Sequence, residues 1–288
     1  MKILHIIMGT AAVAIMSAAL SSCGGFFGGK LYKDSDKYIS GNFTYDSANI
    51  KKVELNWVYG NVNVSCGDGE LSVYESGENL DNDEKLHYYI DGDTLKIQFC
   101  KPGYSMEISN LAGAKTKELF IEVPADAELS FNTTSANVTA DGITAKSLKL
   151  KTISGGISIN SMKTEGDAEL NTTSGKITVS ECSGRQLKVK TVSGDVNIDG
   201  VSAADIDYNS TSSMGEFGFV SVKEMESVTT SGDVTLKLNG NGASVVMKGV
   251  SGKLYTELEH AKNAKAYIFG DGKADLRLVS TSGNAYIK

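Results

Sequence analysis

The sequence predicts an all-β fold: a single-stranded parallel β-solenoid of about 19–20 residues per coil with an irregular N-terminal part. Three observations carry this. A phrase recurs nearly verbatim: KTVSGDVNI at 190–198 has counterparts in LKTISGGISI from 150, LNTTSGKITV from 170, VTTSGDVTL from 228 and LVSTSGNAYI from 278. The step is steady: the serines Ser135, Ser154, Ser174, Ser193, Ser212, Ser231, Ser251 and Ser282 are spaced by 19, 20, 19, 19, 19, 20 and 31 residues. Apolar residues then return with period two after each glycine, as in Ile177 and Val179, Val196 and Ile198, Val234 and Leu236. Period two is the alternation of a strand, and a step near 19 is too short for helical hairpins or propeller blades.

The first element is a targeting segment. MKILHIIMGTAAVAIMSAALSSC has one Lys, an apolar run to Leu20 and small residues before Cys23, the layout of a secretory signal over residues 1–22. Leu20-Ser21-Ser22-Cys23 resembles the bacterial lipobox, which implies lipidation of Cys23 and a membrane anchor facing the periplasm or exterior. Which membrane carries the anchor stays open. Residues 23–50 hold four glycines soon after Cys23, then mixed charge with Ser and Asn, and read as a flexible tether. Residues 51–288 read as one continuous solenoid domain.

The solenoid's first coil is expected at Leu55–Val64, where LNWVYGNVNV fits every column and places Trp57 at a stack end that must be closed against water. Between Val64 and Phe131 the period fails while strand-like runs continue, so larger irregular coils or a hairpin flap are expected there. The regular coils follow. One inward column is Phe131, Leu150, Leu170, Val189 and Tyr208; two residues later comes a hydroxyl column, Thr133, Thr152, Thr172, Thr191, Ser210, Thr229 and Ser280. Further inward columns are Ile143, Met162, Cys182, Val201 and Val220, and Leu148, Ala168, Leu187, Ile206 and Met225. Each Ser-Gly is expected to be a corner between two or three short strands, with the glycine at positive φ. Right-handed coiling is expected from chain chirality. Stacked hydroxyls are expected to bond from coil to coil inside the stack, the alternative being an outward binding face. An insert around KAYIFGDGKADL lengthens the last step.

The T-x-S-G-[DGKN]-[VI]-x-[IVL] coil, the V-x-L-x-W-x-x-G-N-V-x-V opening from Val53 and FIEVP at 120–124 together resemble the adhesin family of bacterial envelope β-solenoids. The likeness covers about Val53 to Lys288. It implies the fold and a cell-envelope location, and it brings no catalytic residues to carry over. Some relatives are tied to envelope-stress or cationic-peptide sensing.

Composition and motifs narrow the function classes. The formal charge is −7, with only Arg185 and Arg277 as arginines, so no nucleic-acid footprint exists. Cys66, Cys100 and Cys182 remain beside Cys23, an odd count without CxxC that argues against a disulfide framework and a zinc site. Whether Cys66 and Cys100 pair stays open. His87 and His260 lack ligand-spaced partners, and no nucleophile elbow, HExxH or phosphate loop occurs. The oxygens of residues 79–84 lack the glycine and distal Glu of a calcium loop. Polysaccharide-cleaving β-helices are the enzyme rival; Asp195 and Asp233 share an outward column but stand two coils apart, about 9.6 Å. No catalytic, metal or cofactor site is therefore expected. The expected function is a non-enzymatic, lipid-anchored binding module contacting envelope proteins or glycans, with stress sensing or a passive scaffold as alternatives.

Overall fold

The computed structural model describes residues 34–67, 69–104 and 117–288. The fold is the expected all-β parallel solenoid, and these residues fall into two compact units. One runs to Ala145 and takes in Lys149–Gly156; the other comprises Lys146–Leu148 and Ile157–Lys288. The signal segment and Cys23 lie outside the described residues.

The first unit contains β1 (Ile39–Ser40), β2 (Phe43–Asp46), β3 (Lys52–Trp57), β4 (Asn61–Gly67), β5 (Glu70–Gly77), β6 (His87–Asp91), β7 (Thr94–Gln98), β8 (Lys117–Pro124), β9 (Glu128–Thr133) and β10 (Asn137–Ala145). Strand β3 runs parallel to β9 on one side, Trp57 opposite Thr133, and to β7 on the other, Asn56 opposite Gln98. Strand β4 is held likewise between β10 and β8. The coil written first in the chain is therefore an inner coil, and β7–β8 lies outside it. This corrects the placement of Trp57 at a stack end: it is fully buried and meets the edge of Phe99 at 4.8 Å.

The irregular stretch is what closes the unit. Strand β6 pairs antiparallel with β7 and β1 with β6; β5 pairs antiparallel with β8 and β2 with β5. A parallel coil always leaves a row of unpaired backbone groups, and short antiparallel strands end that row. Behind them lies a buried ion pair, Lys117 Nζ to Glu75 Oε1 at 2.5 Å. Lys117 also donates to the carbonyls of Glu84 at 2.7 Å and Phe99 at 2.5 Å, and sits 3.9 Å from the Phe99 ring centroid.

After β11 (Ser147–Lys151), the second unit contains β12 (Ile157–Thr164), β13 (Asp167–Asn171), β14 (Ile177–Thr191), β15 (Val196–Ser210), β16 (Gly215–Thr229), β17 (Val234–Lys237), β18 (Ala243–Gly249), β19 (Leu254–Thr256), β20 (Ala261–Asn263), β21 (Ala266–Phe269), β22 (Ala274–Ser280) and β23 (Ala285–Ile287). Whole coils in β14, β15 and β16 are single fifteen-residue strands rather than two or three short ones. The chain bends inside them at a left-handed residue, Glu181 (φ 61°) and Gly200 (φ 71°), without losing the ladder. Val196 opposite Ile177 and Ile198 opposite Val179 are buried, as the alternation predicts.

The corners have a different cause from the one expected. Gly60 of the first-written coil is at positive φ, +88°, but the glycines of the Ser-Gly corners, from Gly155 to Gly283, are not. A Cβ built on Gly194 would stand 2.0 Å from the Gly175 carbonyl oxygen, and one on Gly232 1.8 Å from that of Ser213. Close stacking of one corner on the next excludes a side chain. The hydroxyl column is inward, but Thr133, Thr152, Thr172, Thr191 and Ser280 bond within their own corners instead of from coil to coil, and the buried hydroxyls of Ser210 and Thr229 make no corner bond. The N–H of Gly175 donates to Thr172 Oγ1 at 2.8 Å and that of Gly194 to Thr191 Oγ1 at 2.9 Å. A corner N–H three residues on is the nearest buried donor needing a partner.

Two further corrections concern register. Val220 is 61% exposed, and Phe219 fills the inward place opposite Val201. Gly218 stands where the preceding coil has Asp199-Gly200, so the pairing shifts on both sides of Val201. The 31-residue last step is also explained. Strand β22 lies between β16 and β18, and β23 between β17 and β19, so the final repeat sits inside the preceding one. The insert forms the antiparallel β20–β21 pair against β18, covering that edge.

Candidate ligand-contact face

Alternation sends every second residue of the β15–β16–β17–β23–β19 sheet outward, and register aligns them. Asn197 lies opposite Glu216, Glu216 opposite Thr235, Thr235 opposite Tyr286, and Tyr286 opposite Tyr255. The two tyrosines stack with centroids 5.4 Å apart and planes inclined by 17°. Tyr255 is 47% exposed on β19, the last strand of this sheet among the described residues. A shallow groove runs along Asn197, Glu216, Thr235 and Tyr286, bordered by the corner residues Lys176, Asp195, Met214 and Asp233 and by Lys288; Tyr255 lines an adjoining hollow with Leu258, Tyr286 and Lys288.

The charges of the face are mostly committed. Asp195 accepts the Met214 N–H at 3.1 Å and Asp233 the Asn284 N–H at 2.7 Å; Asn284 in turn accepts the Lys253 N–H at 3.1 Å. The two aspartates of the outward column thus tie each corner to the next. Glu216 is ion-paired with Lys237, which holds that ammonium above the usual lysine range. What the row presents beyond these bonds is amide, hydroxyl and aromatic, with the Met214 thioether and the Lys176 and Lys288 ammonium groups at the groove's border.

The remaining candidates from the sequence have structural partners. His87 is buried, its Nδ1 2.9 Å from the Lys85 carbonyl oxygen, and burial lowers its pKa. His260 is exposed, 2.9 Å from the Leu258 carbonyl oxygen and against the rings of Tyr267 and Phe269. In residues 79–84, Glu84 accepts the Asp81 N–H, Asp83 pairs with Lys101 and Asn82 accepts from Ser40. Those oxygens hold the loop instead of converging. Cys66, Cys100 and Cys182 carry thiols and form no disulfide. The Cys66 thiol accepts the Thr144 N–H at 3.1 Å, and burial pushes that of Cys182 up to about 11. Cys23, the lipidation site expected from the sequence, lies outside the described residues. The stacking of Tyr255 on Tyr286 is not legible in chain order, which puts one insert between them. Their shared place after a corner glycine, KLYT and NAYI, was the available signal.

A family profile described as Toastrack DUF4097 matches residues 50–288. A solved structure from Parabacteroides distasonis, named "putative lipid binding protein", shares 16% identity over 86% of this chain and 98% of its own, with a TM-score of 0.53. A "putative adhesin" from Parabacteroides merdae shares 17% identity over 88% of this chain and 96% of its own, with a TM-score of 0.48. At 16% identity the likeness to the Parabacteroides distasonis structure is one of fold. No curated protein matches the chain.

Proposed function

The chain belongs to the Toastrack DUF4097 family, and from that premise we propose that it is a non-enzymatic, adhesin-like binding module of the cell envelope. It is held to a membrane through a lipid on Cys23 and meets envelope proteins or glycans with the outward face of its solenoid. The observation that supports this most is the aligned row from Asn197 to Tyr255: a polar face ending in exposed aromatic rings, whose aspartates are already bound to backbone. Such a face recognises by contact, without a nucleophile or a base to drive chemistry.

The test is capture from envelope extract by the full-length, detergent-solubilised chain. Thr235→Arg, which fills the groove and spares the core, is one control, and Ile177→Asp, which breaks the core, is the other. A species retained by the wild type and lost with Thr235→Arg supports the binding module. Equal retention by all three, or none, leaves a passive scaffold. Cys23→Ala is expected to release the protein from the membrane fraction; unchanged retention there removes the anchor.

A second reading, attraction of cationic peptides in envelope-stress sensing, is favoured by a different face. Asp205, Glu224 and Asp275 lie consecutively opposite one another across β15, β16 and β22. Like charges directly opposite are destabilising in a sheet. Binding of a cationic peptide that falls steeply with ionic strength would support this reading; binding indifferent to salt would remove it.

A further inference from the structure

We propose that the row Asn197–Glu216–Thr235–Tyr286–Tyr255 binds an uncharged, extended glycan lying along the stack, with a sugar ring seated on the side of Tyr255 turned away from Tyr286. The inference rests on the binding-module reading and names its ligand class. Three features of the face carry it.

The first is charge. Asp195 and Asp233 are spent on backbone N–H groups of the next corner, and Glu216 on Lys237. Along the row itself this leaves the amide of Asn197, the hydroxyl of Thr235 and two phenols, with the Lys176 and Lys288 ammonium groups set at the groove's border rather than in the row. Donors and acceptors without net charge suit a polyhydroxyl ligand better than a charged peptide or a lipid headgroup. The second is the aromatic end. Tyr255 has Tyr286 stacked on one face only, and β19 is the last strand of its sheet among the described residues. A ring in this position offers an apolar plane with a polar tip, the combination that packs against the C–H face of a sugar while bonding its hydroxyls. Met214, 63% exposed, gives the groove a second apolar contact at its border. The third is spacing. Parallel strands present equivalent side chains about every 4.8 Å, close to the rise per sugar of an extended β-linked chain. Five aligned positions on five strands therefore match successive sugars rather than the alternating side chains of an extended peptide.

The experiment is calorimetric titration of the full-length, detergent-solubilised chain. The probes are uncharged tetrasaccharides: β-1,4-linked glucose, β-1,4-linked N-acetylglucosamine and β-1,3-linked glucose. At least one is expected to bind, with Tyr255→Ala weakening it about tenfold, the loss of one ring-face contact. Tyr74→Ala, an exposed aromatic of the first unit, is expected to bind as the wild type does. An unchanged thermal melt for Tyr255→Ala shows that the loss is local. Absence of binding by all three sugars overturns the glycan assignment, and so does Tyr255→Ala titrating like the wild type. If no sugar binds while Thr235→Arg still abolishes capture from envelope extract, only the ligand class falls. If capture fails as well, the binding-module reading falls with it.

Discussion

The Tyr208 hydroxyl lies 2.6 Å from that of Ser213, and the Tyr208 ring occupies the space that a side chain on Gly215 would need. A Cβ at Gly215 would stand 2.6 Å from Tyr208 Cε1. Neighbouring coils carry Val196 and Val234 where this one has Gly215, and Val189 where it has Tyr208. One large residue and one absent side chain therefore exchange volume within a coil. Gly215→Val alone should cost about 1–3 kcal/mol through overpacking. Combining it with Tyr208→Val should recover part of that loss. Urea unfolding of the two singles and the double gives the coupling, and strict additivity would show that the two sites do not share space.

Corner glycines are constrained by the corner beneath them, so Gly194→Ala should destabilise the second unit by about 1–3 kcal/mol or more. Gly240→Ala is the comparison, since no atom lies within 4 Å of its Cβ although its φ is +82°. Its cost should be limited to backbone strain of about 1–2 kcal/mol. A Gly194→Ala melt no lower than that of Gly240→Ala would contradict the close-stacking account.

Val196→Asp and Ile177→Asp should each abolish the cooperative melt, because each places a carboxylate with no partner in the inward column. Thr178→Asp, outward in the same strand as Ile177, should leave the melt nearly unchanged. A cooperative wild-type-like transition in either inward variant would reverse the assignment of faces.

Lys117 and Glu75 are both nearly inaccessible, with side chains 1% and 3% exposed. Removing either partner leaves a buried charge, and Lys117→Met or Glu75→Leu should each cost about 3–5 kcal/mol. The double substitution should cost less than the sum. Thermal melts of the three variants check this, and full additivity would mean that the pair does not act as one.

The Cys182 thiol, raised to about 11 by burial, makes stability depend on pH at the alkaline end. The unfolded thiol ionises near 8.5–9 and the folded one near 11, so the folded state binds the extra proton between them. That contribution is intact below about pH 8.5 and is lost as pH rises towards 11. Cys182→Ser should flatten the decline in melting temperature over this interval. In the native protein at pH 8, iodoacetamide should modify the half-exposed Cys66 well before Cys182. Equal rates would show that Cys182 is not sequestered.

The inward columns and the corners were legible in the chain because they follow from local backbone geometry. Alternation over Ile177–Val179 or Val196–Ile198 fixes a face whatever lies beside it, and a Ser-Gly every 19 or so residues marks each turn. Val220 was misread for an equally local reason: Gly218 drops one residue before Val201's partner, which a fixed step cannot register. The likeness of the coils hid the rest. Because any coil can pair with any other, the sequence of repeats does not say which neighbours which.

What the sequence by itself determined is therefore the repeating unit: its length, its inside and outside, and its small corner residue. Only the tertiary structure decided that β3–β4 is enclosed by β7–β8, that β22–β23 slides inside β18–β19, and that Tyr286 consequently meets Tyr255. Coil order at an end depends on which exposed strand edge can be covered by short antiparallel strands such as β5, β6 and β21. That balance is set between residues far apart in the chain, and no local pattern records it.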